Sequence, residues 1–314
     1  MEEDVLPVDA QAITRAASRG IRMVACASTG NTSSSMAAYA ARAGMKSLLF
    51  VPYRQISAAK LAQALDFGSL VVEVGDTFDE AFRLLREIAP ERGLYLVNSV
   101  NPFRIEGQKT IVAEMLEQRA WRPPDYIVVP GGNLGNSSAI GKALRELKEL
   151  GFIEKVPQIV VVQAAGASPF HQMVSGGLNE LTPVEKPDTE ATAIRIGHPA
   201  NWKKAQRVLE WCGGFTESVT DKEIFEAKAM LAEDGVGCEP ASAATIAGVR
   251  KLVRAGKIPW HADIVCVLTG HQLKDTEYVM RHRSEVQETR QRLRVEPSLE
   301  ALRKALEQAL GDAA

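Results

Sequence analysis

The chain has 314 residues, 46% hydrophobic and 24% charged, an ordinary globular composition with length for two domains or one large one and for a core that needs no disulfide or metal. A net charge of −2 gives no electrostatic reason to expect nucleic acid or an anionic membrane surface as partner. The five histidines and four cysteines show neither zinc-ligand nor CxxC spacing, no apolar stretch reaches the roughly 18 residues of a membrane span, and the acidic start Met1-Glu2-Glu3-Asp4 lacks a signal-peptide pattern, so the expectation is a soluble cytosolic protein.

In chain order, Val8 to Arg19 reads as a helix ended by Gly20, and Arg22 to Cys26 as a short strand. An Ala-rich helix follows from Thr32 to Ala43, then a strand from Ser47 to Val51 stopped by Pro52. Ser57 N-caps a helix to Phe67, Leu70 to Val74 is a strand, Thr77 to Ile88 a helix and Leu94 to Val97 a strand. The pattern continues with a helix over Ile105 to Gln118, a strand over Tyr126 to Val129, a helix over Gly135 to Leu150 and a strand over Ile159 to Gln163. Gly176 to Thr192 is polar and reads as a long surface loop. Ile264 to Leu268 is a late strand, Arg281 to Arg294 a charged connector or solvated helix, and Pro297 to Leu310 a terminal amphipathic helix. Apolar strands alternating with helices predict an α/β fold with parallel sheets covered on both faces. Cys26 and Cys266 fall in apolar runs and read, with Cys212 and Cys238, as buried free thiols of a reducing compartment.

Ligands of such folds sit beyond the carboxyl ends of the strands. Four polar segments follow strands: Ser28 to Thr32, Asn98 to Arg104, Gly131 to Asn136, and Thr269 to His271. Gly131-Gly-Asn-Leu-Gly-Asn136 precedes a helix, whose free N–H groups and positive dipole end suit a phosphate monoester. It is neither G-x-G-x-x-G nor a Walker loop, and a tight turn without ligand reads from the same residues. Ser28 to Thr32 offers hydroxyls and an amide for a carboxylate or ring oxygen, or simply an N-cap and turn. Arg104 suits bidentate phosphate recognition or stands as a surface arginine; Thr269 addresses a heterocycle nitrogen or caps a helix.

Together these segments resemble threonine synthase, a pyridoxal-phosphate (PLP) enzyme of fold type II. The resemblance rests on Cys26-Ala-Ser-Thr-Gly-Asn-Thr-Ser33, Leu96-Val-Asn-Ser-Val-Asn-Pro-Phe-Arg-Ile-Glu-Gly-Gln-Lys-Thr110, Ala191-Thr-Ala-Ile-Arg-Ile-Gly197, Glu239-Pro-Ala-Ser-Ala243 and Leu268-Thr-Gly-His-Gln-Leu-Lys-Asp275, in that order. It spans about Val8 to Asp275. It implies two α/β domains, each with a mainly parallel sheet: a small one over 8–103 and a large PLP-binding one over 104–285, with a helical segment over 286–314. It further implies that Asn31 contacts the PLP ring hydroxyl, that Gly131, Gly132, Asn133, Leu134, Gly135 and Asn136 hold the cofactor phosphate, and that Thr269 hydrogen-bonds the pyridine nitrogen. Ser28, Thr29, Thr32, Asn98, Ser99 and Arg104 would receive the substrate, Arg104 its phosphate. The implied reaction takes O-phospho-L-homoserine and water: phosphate leaves the γ carbon, water adds at the β carbon, and threonine is released. No metal is implied, and the partner is a small molecule, with a homodimer expected.

The family's Schiff-base lysine sits in a Ser-Phe-Lys-Asp-like motif ahead of the first strand. The aligned position here is Val5, and Lys46, Lys60 and Lys109 fall at other matched positions, so no catalytic lysine is assigned. Three explanations fit the sequence: a true start upstream of Met1, a pseudo-enzyme that binds PLP or an amino acid without catalysis, or an unrelated lysine that substitutes. A threonine or serine dehydratase is the other enzymatic reading; the Asn-Pro-Phe-Arg-Ile-Glu-Gly segment argues against it, because a dehydratase needs no substrate-phosphate arginine.

Overall fold

Short, mostly apolar runs, each flanked by helices, build two parallel sheets in the computed structural model, which describes residues 9–28, 31–53, 58–276, 278 and 295–310. The described residues fall into two compact units divided after Asp275. The first unit holds both sheets. Its N-terminal sheet consists of β1 (Met23–Ala27), β2 (Lys46–Val51), β3 (Leu70–Glu73) and β4 (Tyr95–Leu96), in the order β3-β2-β1-β4. The second sheet consists of β5 (Tyr126–Pro130), β6 (Gln158–Ala164), β7 (Phe215–Val219) and β8 (Ile264–Cys266), in the order β7-β6-β5-β8. Every pairing is parallel.

Side chains on a strand alternate faces, and the cores follow that period. Ile127, Val129, Ile159 and Val161 enter one core, Val128, Val160 and Val162 the opposite one. Likewise Val24, Cys26, Leu49 and Val51 face one side of the first sheet, Ala25 and Ala27 the other. Burial on both faces explains why these strands read as unbroken apolar runs.

The helices are α1 (Ala10–Ser18), α2 (Asn31–Arg42), α3 (Ala58–Asp66), α4 (Phe78–Arg92), α5 (Pro102–Gln108), α6 (Thr110–Gln118), α7 (Gly135–Glu149), α8 (Pro169–Ser175), α9 (Trp202–Cys212), α10 (Asp221–Glu233) and α11 (Pro240–Arg254). The second unit contains α12 (Leu299–Leu310).

Three expected elements differ. The helix expected over Ile105 to Gln118 starts earlier, at Pro102, where Asn101 caps it by accepting from Phe103 N–H, and it breaks at Lys109. The helix expected to stop at Ile88 runs through Pro90 to Arg92; a proline this close to the end removes few ladder bonds, and Gly93 in the left-handed region closes the turn. The polar stretch from Gly176 is not confined to the surface: Asp188 donates its N–H to Gly166 O and Val184 to Gly197 O, each at 3.0 Å, and Thr189 and Ala191 are buried. Sequence patterning assigned nothing to α8 through α11 or to β7. The expected Ser57 cap, Val8, and the connector over 281–294 lie outside the described residues.

Candidate active site

The carboxyl ends of β1 and β4 in one sheet and of β5 and β8 in the other open on one cavity of about 180 Å³. Its walls include Ser28, Asn31, Thr32, Asn98, Ser99, Arg104, Gly132, Asn133, Leu134, Gly135, Asn136 and Thr269. Four segments, the first at Ser28 and the last at Thr269, therefore meet in space. One described position assigned to the site is absent from that wall. Gly131 packs against the sheet instead, donating its N–H to Val162 O at 2.7 Å; a Cβ there would lie 2.7 Å from Val161 Cγ1. Thr29, like Val5, lies outside the described residues.

The loop after β5 leads into the helix with its first N–H groups unclaimed. Leu134, the N-cap of α7, is left-handed at φ 62° and offers no side-chain cap. The hydroxyls of Ser137 and Ser138 turn back to Leu134 O, at 3.1 and 2.7 Å, rather than toward those donors. The α7 N-terminus thus presents backbone N–H groups and the positive end of its dipole to the cavity. Gly132 closes the same wall: a Cβ on it would stand 3.0 Å from Ala193 O. Asn133 anchors the loop, accepting at its side-chain oxygen from Ala200 N–H (3.3 Å) and at its carbonyl from Asn201 N–H (3.2 Å).

Opposite this loop, Asn31 donates from Nδ2 to Glu239 Oε1 at 3.0 Å. That bond fixes the amide orientation and leaves Asn31 Oδ1 a buried acceptor without a partner. Asn98 ties the ends of β4 and β1 together: Oδ1 accepts from Ala27 N–H (3.0 Å) and Nδ2 donates to Ala27 O (2.7 Å). Its amide thus serves the frame of the cavity. Ser242 Oγ accepts the N–H groups of Thr269 (2.8 Å) and Gly270 (3.0 Å) and lies 3.1 Å from Thr269 Oγ1. With both lone pairs engaged, the Ser242 O–H is the donor of that contact, which leaves the Thr269 hydroxyl proton to turn into the cavity. Arg104 is buried; its Nη2 donates to Thr32 Oγ1 at 3.1 Å, and its Nε lies 2.7 Å from Asp9 Oδ1. The Nε contact is not aligned as a hydrogen bond, so it is an interaction of charge.

A family model described as pyridoxal-phosphate dependent enzyme matches residues 9–270. The chain belongs to the pyridoxal-phosphate-dependent enzyme family. Curated relatives include threonine synthases: that of Methanocaldococcus jannaschii is 45% identical over 270 residues, covering 86% of this chain and 67% of that enzyme. That of Synechocystis sp. is 41% identical over 296 residues, covering 94% of this chain and 74% of that enzyme. The chain therefore spans about two thirds to three quarters of these relatives. Among solved structures, a fungal L-serine ammonia-lyase from Rhizomucor miehei superposes with a TM-score of 0.77 at 20% identity, over 90% of this chain and 89% of that one. Maize serine racemase gives 0.74 at 19%, over 90% and 83%. At these identities the structures share the fold, that of the PLP fold type II enzymes.

The residues present fit the family's cofactor. The uncapped α7 N-terminus suits a phosphate, the orphaned Asn31 Oδ1 calls for a donor such as a ring hydroxyl, and the Thr269 proton suits a ring nitrogen. Among the described residues that line the cavity there is no lysine. Nor is a thiolate at hand: burial pushes the Cys238 and Cys266 thiols up to about 11, and the Cys26 thiol higher still.

Sequence reasoning gave no role to Asp9, Gln108, Thr192, Ala193 or Glu239, which also line the cavity. Glu239 carried a signal, because a carboxylate directly before a helix-opening proline sits at an N-cap; the structure shows no side-chain cap bond from it. No comparable signal marked Gln108, whose Oε1 is buried without a partner.

Proposed function

We propose that this cavity is a threonine synthase site, which takes O-phospho-L-homoserine and water and releases L-threonine and phosphate. The observation that carries the proposal is the meeting of four strand-end segments around an uncapped helix N-terminus and a buried arginine, in a chain 41–45% identical to threonine synthases.

PLP, when bound, supplies the electron sink that makes substrate carbons acidic. The rest falls to side chains and backbone. The N–H groups around Gly132 to Asn136 hold the cofactor phosphate, with Leu134 and Gly135 setting the turn. Asn31, braced by Glu239, accepts from the ring hydroxyl, and Thr269, braced by Ser242, donates to the ring nitrogen. A neutral hydroxyl there leaves the nitrogen unprotonated and the ring less electron-withdrawing. Ser28, Thr32 and Ser99 orient the substrate, and Arg104 takes its phosphate as a planar, permanently charged donor. Asn98 acts through Ala27, fixing the sheet end that carries Ser28. The homodimer and cytosolic setting implied by the resemblance belong to the same proposal, the first tested by light scattering; among the described residues, no helix is long and apolar enough to cross a membrane.

The test is phosphate release from O-phospho-L-homoserine, with threonine as co-product, after PLP addition; borohydride trapping and mass spectrometry then locate any lysine carrying the cofactor. Ketobutyrate from threonine would favour a dehydratase instead. The absence of lysine from the described cavity wall favours a second reading, a binder without turnover. Saturable PLP uptake with no trapped lysine and no phosphate release would establish it.

A further inference from the structure

Asp9 occupies the N-cap of α1, where a carboxylate ordinarily accepts from the helix's own N–H groups, yet it makes no side-chain cap bond. It is wholly buried and stands with Thr32, Ser35 and Arg104 in the cavity wall, its Oδ1 2.7 Å from Arg104 Nε. We propose that Asp9 is a specificity-determining residue of the cavity: its carboxylate balances the charge of Arg104, so that a phosphoryl or sulfuryl dianion enters the arginine's subsite together with one proton, taken from solvent onto Asp9.

The inference rests on the reading of Arg104 as the substrate-phosphate ligand. Away from the cavity, the neighbours of the ion pair among the described residues carry no compensating charge. From α5 comes Arg104 itself; from α2, the Ser35 hydroxyl and the Tyr39 phenol; from β1, the Cys26 thiol. Burial and the nearby Asp9 charge hold both Tyr39 and Cys26 in their neutral forms. A dianion placed on Arg104 would therefore add negative charge beside a buried carboxylate with no further cation among these groups. Like charges at such a site do not both stay ionised, and beside sulfate, a far weaker base than a carboxylate, Asp9 is the group that takes the proton. Burial already pushes Asp9 up, more than Arg104 and Ser35 draw it down. The balance is Asp9 carboxylate plus one proton plus dianion, giving neutral Asp9 with the dianion on Arg104.

The test is calorimetric titration of the whole chain with inorganic sulfate, which remains a dianion from about pH 5.5 to about pH 8.5, in buffers of different ionisation heat. The expected result is close to one proton taken up per sulfate bound at the arginine, with affinity falling about tenfold per pH unit above the Asp9 titration. Asp9→Asn should abolish the uptake, flatten the pH profile and tighten sulfate at least tenfold at about pH 8. Arg104-dependent binding with no proton uptake overturns the proposal, as does an Asp9→Asn profile that matches the parent's. Arg104→Met separates the two readings: if it leaves sulfate binding unchanged, the arginine is not the anion's seat and its assignment in the proposed function falls as well. Should Asp9→Asn fail to fold, the proton count in the parent chain decides the matter.

Discussion

Adding one methyl group at Gly270 should disrupt the wall of the cavity that carries Asn31. A Cβ there would lie 2.4 Å from Glu239 Cδ, 2.5 Å from Glu239 Oε1 and 2.8 Å from Asn31 Nδ2. Glu239 is 1% exposed and donates its own N–H to Gly270 O at 2.8 Å, so its carboxylate can give way only toward the cavity, off its bond with Asn31. Overpacking of this kind costs about 1–3 kcal/mol. Losing the charged hydrogen bond between Asn31 and Glu239 adds about 1.5–3 kcal/mol. The sum, about 2.5–6 kcal/mol, is a large share of the ~5–15 kcal/mol that holds a domain together. Gly270→Ala should accordingly lower the urea midpoint of unfolding and weaken PLP binding, followed by absorbance titration. Gly256→Ala is the control: Gly256 has φ +69° with open space around it, so alanine there meets only backbone strain of about 1–2 kcal/mol. If Gly270→Ala unfolds no more easily than Gly256→Ala and binds PLP as the parent does, the reasoning about this wall is wrong.

Asn136→Asp places a carboxylate at the α7 N-terminus, where the dipole favours it but a cofactor phosphate would be repelled; PLP affinity should fall at least about tenfold while the melting temperature holds or rises. Asn98→Ala leaves Ala27 N–H and O without their side-chain partners and should cost about 2–4 kcal/mol in urea unfolding. Burial raises the Glu106 carboxyl, but the hydrogen bonds and charges of Lys109 and Lys142 outweigh it and bring the group below the ordinary 4.5. Since the folded value is the lower one, its stabilisation is present above that ordinary value and is lost as pH falls through the folded value. Glu106→Gln should therefore flatten the acid limb of stability against pH, by less than about 1 kcal/mol because the cluster is partly exposed.

The strand ends were legible because a buried parallel strand has a distinctive composition and the ligand rule for such sheets attaches to its carboxyl end. Topology alone thus groups Ser28, Asn98, Gly132 and Thr269. What strand patterning lacked was the return path of the chain. Gly176 to Ala191 is polar in composition, and polarity is a poor guide where backbone groups are satisfied internally: Val184 and Asp188 bond across to Gly197 and Gly166, and the stretch delivers Thr192 and Ala193 to the cavity. The break at Lys109 was equally hidden, since Ile105 to Gln118 keeps helical periodicity on both sides of it.

Asp9 and Glu239 show the deeper limit. Each sits at a helix N-cap, and local rules assign both carboxylates to capping; neither caps with its side chain. Instead the Asp9 carboxylate lies beside Arg104 and Glu239 accepts from Asn31, so each acid orients or balances a residue that the sequence had already put in the site. Forgoing a cap gives up about 1 kcal/mol of local stability. A fold that does so twice, at the same cavity, has used two helix starts to set the charge and the amide orientation of its binding site. Local consistency fails at functional positions for this kind of reason. Returning either acid to capping, by changing Arg104 or Asn31, should then stabilise its helix while loosening the cavity.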